Sequence, residues 1–171
     1  VTLNISSFVI DTTAPTISSV SPTDNSTYNS PATTVGVTFS KQILTSSITT
    51  NTSDTTCSGS FQLSSDNFTT CIKMSGAPSA SDNVTTFTST PTDNLSGGTT
   101  YKLRITTSAT DDASNSLASA YTTTNGFTTS PSGSGTFSGS VQSDNGSSLS
   151  GVSVIDALHG STVATMTSDN N

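Results

Sequence analysis

The sequence predicts an all-β protein built as an antiparallel β-sandwich, and three observations carry that expectation. Apolar and polar residues alternate at period two through many short runs, as half-buried strands require. Clusters of Pro, Gly, Asn and Asp lie between the runs and supply turns. Roughly two residues in five are Ser or Thr. Thr is β-branched and suits strands, whereas Ser, Asn and Asp compete with the helix backbone.

The runs follow in chain order. Ile17–Val20 opens the pattern, and Val35-Gly36-Val37-Thr38-Phe39 places Val35, Val37 and Phe39 on one face. Phe61–Leu63, Ile72–Met74 and Thr85–Thr88 read as further strands. In Tyr101-Lys102-Leu103-Arg104-Ile105 the odd positions face a core while Lys102 and Arg104 face water. Phe127–Thr129 closes this set, and Phe137–Val141, Val152–Ile155 and Val163–Thr167 form a later one. Two seams divide the chain: Asp11-Thr12-Thr13-Ala14-Pro15, and the small-residue linker Ser130-Pro131-Ser132-Gly133-Ser134-Gly135. The expected organisation is therefore an N-terminal strand at 1–10, one sandwich at 11–130, a linker at 131–135 and a short β module at 136–171. The stretch between the seams has the size of one sandwich domain.

Composition sets limits on function. The 171 residues are 29% hydrophobic and 9% charged, with a net charge of −7, and all eleven acidic residues are Asp. Leu, Ile, Val and Phe make up 33 of them, which is about 19% and sits at the edge of what folds. Four Lys and Arg are too few for a nucleic-acid binder, and no apolar run approaches the length needed to span a membrane. The apolar residues are few but regularly placed, so the count describes a thin sandwich core rather than disorder.

Cys57 and Cys71 would pair in an oxidising compartment, closing a loop of 14 residues; two unrelated buried thiols are the other reading. The intervening Ser58–Thr70 reads as two short strands and a turn that bring the cysteines together. Val1, Leu3 and Ile5 begin the chain inside an alternating pattern, and the chain also ends inside one. Both ends read as cuts through longer structure, so the chain is expected to be an internal piece or a repeating unit of a larger surface protein.

Residues 15–129 carry a family likeness in seven ordered pieces. They are Pro15-Thr16-Ile17-Ser18-Ser19-Val20-Ser21-Pro22, Val35-Gly36-Val37-Thr38-Phe39-Ser40, Phe61-Gln62-Leu63, Thr86-Phe87-Thr88-Ser89-Thr90-Pro91, Leu95-Ser96-Gly97-Gly98-Thr99-Thr100-Tyr101, Asp111-Asp112-Ala113-Ser114-Asn115-Ser116-Leu117 and Phe127-Thr128-Thr129. The segment resembles the bacterial immunoglobulin-like domains of S-layer proteins, large adhesins and other cell-surface arrays. The resemblance implies an Ig-like antiparallel β-sandwich. Leu95 followed by Gly97-Gly98 and Tyr101 looks like a tyrosine corner, its phenol hydroxyl bonding to upstream backbone. The Asp111–Asn115 stretch looks like an Asx turn, although the family usually has Gly where this chain has Ser114.

Residues 136–171 resemble the start of a carboxypeptidase-regulatory-like β-sandwich module, through Phe137-Ser138-Gly139-Ser140-Val141, Gly151-Val152-Ser153-Val154 and Thr167-Ser168-Asp169-Asn170. The resemblance implies a partial module that needs further strands. Residues 1–10 read like the last strand of such a module, so Val1, Leu3 and Ile5 are candidates for strand donation to a neighbouring copy. A plain N-terminal strand on its own domain fits the same residues.

The sequence offers no catalytic set. His159 stands alone in Leu158-His159-Gly160, and there is no nucleophile elbow, phosphate loop or His and Cys metal spacing. No enzyme and no cofactor are expected. Asp11, Asp93, Asp111 and Asp112 near the domain ends suit either calcium at a joint or solvated turns. An internal isopeptide bond would need a buried Lys; Lys41, Lys73 and Lys102 are available, Lys102 alternates outward, and the sequence does not favour the bond. Seven Asn-x-Ser/Thr sequons, at Asn4, Asn25, Asn51, Asn67, Asn83, Asn94 and Asn145, are what so much Ser and Thr produces by chance. The expected function is a building block of a bacterial extracellular filament, surface array or adhesin stalk, joined head to tail to neighbouring copies. The alternatives are a module that binds a surface glycan or protein, and an accessory domain of a secreted enzyme.

Overall fold

Apolar alternation becomes strand pairing in the first of two units, Val1–Ser132 and Gly133–Asn171. The computed structural model describes residues 10–131 and, beyond them, the strands Ser153–Ile155 and Thr162–Thr165. Strands β1 (Ile17–Ser21), β2 (Val35–Phe39), β5 (Thr86–Ser89) and β4 (Ser79–Ser81) form one antiparallel sheet in the order β1-β2-β5-β4. Strands β3 (Phe61–Ser64), β6 (Thr100–Ile105), β7 (Tyr121–Thr122) and β8 (Phe127–Thr128) form the second, with β6 at its centre. A 3-10 turn at Thr45–Ser47 is the only helical element among the described residues.

The inward positions of the two sheets meet as a single core. Val35, Val37 and Phe39 from β2 and Phe87 from β5 face Phe61, Leu63, Tyr101, Leu103, Ile105 and Phe127. Phe39 and Phe87 pack edge to face at 6.0 Å, and Tyr101 stacks on Phe127 at 5.9 Å. Outward positions are polar. Arg104 lies 3.9 Å over the Phe68 ring and donates through Nε to Gln62 Oε1 at 2.7 Å, covering the solvent face of the second sheet.

The last strand of the second sheet is split. β7 pairs with the Arg104–Ile105 end of β6 and β8 with its Thr100–Tyr101 end, and Thr124–Gly126 bulge between them. Gly126 takes a φ of +78°, and a Cβ there would lie 2.2 Å from the Tyr101 carbonyl oxygen, so only Gly allows the chain to return to β6.

Ile72–Met74, read above as a strand, is not one. Its amides go singly to different partners, Ile72 to Leu63 O and Met74 to Asn51 O, with one isolated bridge between Met74 and Pro91. Ser58–Thr70 holds one strand, β3, followed by a turn organised by Asp66, rather than two strands. The strands β4 and β7 appear where no alternation marked them. In the second unit, β9 (Ser153–Ile155) and β10 (Thr162–Thr165) pair antiparallel. Residues 136–152, which hold Phe137–Val141, lie outside the described residues.

Candidate functional site

Two poles of the sandwich position the chain where it enters and leaves. Ile17 pairs with Phe39 at one end of β1 and Ser21 with Gly36 at the other. The Leu44 amide donates to Thr110 O at 2.8 Å, so the Phe39 end of β2 shares a pole with the Ile105 end of β6. At the opposite pole, the Leu95 amide donates to Pro31 O at 2.8 Å, joining the loops that precede β2 and β6. Asp11–Pro15 therefore enters at the first pole, and Thr129–Pro131 leaves at the second.

The entry pole is built around Lys41. Its ammonium donates to Asp11 Oδ2, to Asp111 Oδ2 at 2.7 Å and to Thr13 O at 2.8 Å. Asn115 Nδ2 adds bonds to Asp111 Oδ2 at 3.0 Å and to Asp11 O at 3.0 Å. The Asp111 side chain is 2% exposed, and its Oδ1 accepts the Ala113 and Asn115 amides. Burial pushes the Asp111 carboxyl up, but hydrogen bonds from Lys41 and Asn115 outweigh it and hold the pKa at about 2. The Lys41 hydrogen bond likewise lowers Asp11, and the two carboxylates raise Lys41. Ser114 sits in the left-handed region at a φ of +67°, the conformation for which Gly is the usual choice. Asp11 and Asp111, two of the residues weighed for calcium, thus turn to an ammonium supplied by the chain itself. Asp112 is an exposed neighbour, and Asp93 lies on the loop before Leu95 at the exit pole. Among the described residues, no three His, Cys, Asp or Glu side chains come together as a metal site.

The exit pole is built around Tyr101. Its hydroxyl accepts the Ser96 amide at 2.9 Å, and Leu95 is buried beside it. Thr129 Oγ1 donates to Ser96 O at 2.7 Å and accepts from the Thr99 amide at 3.1 Å, tying the departing chain to the same corner. Cys57 and Cys71 are bonded across 14 residues; Cys71 is buried with its amide held by Thr55 O, and it lines a surface cavity together with Leu95, Ser96 and Tyr101 of the exit-pole corner. Val1, Leu3, Ile5 and His159 lie outside the described residues.

Sequence reasoning did not single out Asp24. Its carboxylate accepts the Thr124, Asn125 and Gly126 amides at 3.1, 3.0 and 2.6 Å, filling the bulge between β7 and β8 from 100 residues away. Nothing local distinguishes Asp24 from other turn aspartates, since its partners are set by tertiary structure alone.

The profile of the bacterial Ig-like domain matches residues 11–129. The chain belongs to that family. No curated protein matches the chain. Among solved structures, domains 1-6 of the surface layer protein SbsC share 22% identity with this Ig-like chain at a TM-score of 0.48, covering 70% of this chain and 14% of that one. The N-terminal part of the bacterial S-layer protein SbsC shares 21% identity at a TM-score of 0.49, covering 69% and 24%. The Ig-like chain thus spans only a small part of the length of these structures. Among the described residues, no helix is long and apolar enough to cross a membrane.

Proposed function

We propose that the chain is a structural building block of a bacterial cell-surface array, filament or adhesin stalk, in which Ig-like units are joined in series. One observation carries the reading: the chain enters and leaves the sandwich at opposite poles, and each crossing is tied down by side chains, Lys41 and Asn115 at one and Thr129 at the other. A link in a series needs that arrangement. Ends at a single pole would turn the chain back on itself at every domain. An acidic surface with few lysines suits a solvated extracellular rod, and low charge density limits repulsion between successive units.

Head-to-tail assembly extends the proposal. Residues 1–10 of one copy complete the β module at 136–171 of the next, a heterologous contact that propagates rather than closes. Immunogold labelling of intact cells with antibody against residues 11–131, together with negative-stain imaging of the purified chain, tests both statements. The expected result is label outside the cell envelope and concentration-dependent rods that disappear when residues 1–10 are deleted. Label confined to the cytoplasm overturns the surface reading. Rods that persist without residues 1–10 overturn strand donation, and monomers that bind a glycan array favour a recognition module.

A further inference from the structure

Asp24 closes on a dipeptide with a chemistry of its own. Asn125–Gly126 is the one Asn-Gly pair among the described residues. In such a pair the glycine nitrogen can attack the preceding side-chain amide, because glycine has no Cβ to shield the approach and its backbone turns freely. A bond forms from Gly126 N to Asn125 Cγ and the Cγ–Nδ2 bond breaks. The Gly126 amide proton passes to solvent base, and ammonia leaves. Water then opens the cyclic imide at either carbonyl, leaving aspartate or isoaspartate at position 125. Water and hydroxide are the only co-reactants, which is why Asn counts among the thermolabile residues.

We propose that Asn125–Gly126 is a latent deamidation site and that the Asp24 carboxylate keeps it closed in the folded chain. Asn125 is exposed, whereas Gly126 is buried. The Gly126 amide donates to Asp24 Oδ1 at 2.6 Å, the Asn125 amide to the same oxygen at 3.0 Å and the Thr124 amide to Oδ2 at 3.1 Å. Attack requires the Gly126 nitrogen to release its proton and gather negative charge. A carboxylate that accepts that N–H holds the proton in place, and its own charge opposes the charge that must develop. The two neighbouring amides share the carboxylate, so the main chain on both sides of Asn125 is pinned. Gly126 has no room to shift either: its carbonyl accepts the Asn25 amide at 2.6 Å, and a Cβ on it would stand 2.2 Å from the Tyr101 carbonyl oxygen. Isoaspartate would add a main-chain atom immediately before β8, where Phe127 pairs with Tyr101 and stacks on its ring. Asp24 thus guards the register of the closing strand against a change in covalent structure.

Ageing of the full chain in mildly alkaline buffer, folded and in guanidinium, tests this. After proteolysis, the peptide holding Asn125 is followed by mass for the replacement of amide by acid, and isoaspartate is separated from aspartate by chromatography. The expected rate at Asn125 is about tenfold or more lower in the folded chain, because attack must wait for local opening. Asp24→Ala should raise the folded rate about tenfold or more, and Asp24→Asn, which keeps an acceptor without the charge, should fall between the two. Asn115, whose Nδ2 is held by Asp111 Oδ2 and Asp11 O at the entry pole, reports opening of the whole domain and should stay unmodified in every folded sample. Equal rates in the folded and unfolded wild type overturn the proposal whether or not the variants fold. A folded Asp24→Ala or Asp24→Asn chain that keeps the wild-type rate also overturns it. So does modification of Asn115 in step with Asn125, which would assign the protection to the domain as a whole.

Discussion

Opening the Cys57–Cys71 bond should lower stability by about 3 kcal/mol, nearly all of it through the unfolded chain. The native contacts of the loop do not depend on the bond. The Cys71 amide is held by Thr55 O at 2.8 Å, the Gln62 side chain donates to Cys57 O and Gly59 O, and Asp66 organises the turn between them. What the bond restricts is the freedom of a 14-residue loop after unfolding, and loop-closure entropy values that at about 3 kcal/mol at 25 °C. A domain of about 120 residues has an unfolding entropy of about 250 cal/mol/K, so the melting temperature should fall by about 12 °C. The assay is urea and thermal unfolding by circular dichroism, with and without reductant and for a Cys57→Ala/Cys71→Ala variant. The urea slope m should be smaller in the oxidised protein, because its unfolded state exposes less surface. A shift below about 2 °C on full reduction would refute the reasoning, since the entropic term cannot be that small for such a loop. Alkylation of both thiols without reductant would refute it sooner.

Four further outcomes are expected. Tyr101→Phe leaves the Ser96 amide without its acceptor at the exit pole and should cost about 1–2 kcal/mol in urea titration; a neutral result would mean that water replaces the hydroxyl. Ser89→Ala should gain about 1 kcal/mol, because Ser89 Oγ is buried with no partner among the described residues, and a loss would show that the hydroxyl is satisfied. Gly126→Ala should cost about 3–5 kcal/mol, since its Cβ would meet the Tyr101 carbonyl at 2.2 Å on a left-handed backbone; near-normal melting would refute the close approach of β8 to β6. The pH profile has two limbs. Asp111, lowered to about 2, contributes stability that is present above its ordinary value of 3.8 and lost as the pH falls through about 2. Lys41, raised from 10.5, contributes stability that is complete below that value and lost as the pH rises through its higher folded value. Melting temperature should therefore be flat between about pH 5 and pH 10, and a maximum confined near the acid end would contradict the entry-pole geometry.

The sandwich was legible where alternation is strong and central. Val35–Phe39 and Tyr101–Ile105 each bury every second residue, and they form β2 and β6, strands flanked by partners on both sides. Legibility failed at the edges. Ser79–Ser81 is small and exposed, so its strand character comes only from pairing with β5, and no side-chain pattern records it. Ile72–Met74 alternates without being a strand, because its apolar side chains fill the core while its amides are taken one by one. At the poles the residue types were readable but their partners were not. Asp11 and Asp111 stood out as carboxylates near domain ends, yet the cation between them, Lys41, is 30 and 70 residues away in sequence. Spacing rules report neighbours on one element, and this cluster is assembled from three separate loops.

The placement of the chain's two crossings also bears on how such a protein changes over generations. Because the polypeptide comes in at one pole and departs at the other, duplicating the coding segment between the Asp11 and Pro131 seams would insert a copy without rerouting either neighbour. If the proposed series of domains holds, recombination at those seams would add or remove whole sandwiches, each keeping its own core. In the proposed array, selection on reach would act through copy number and leave the sequence of each copy free to drift.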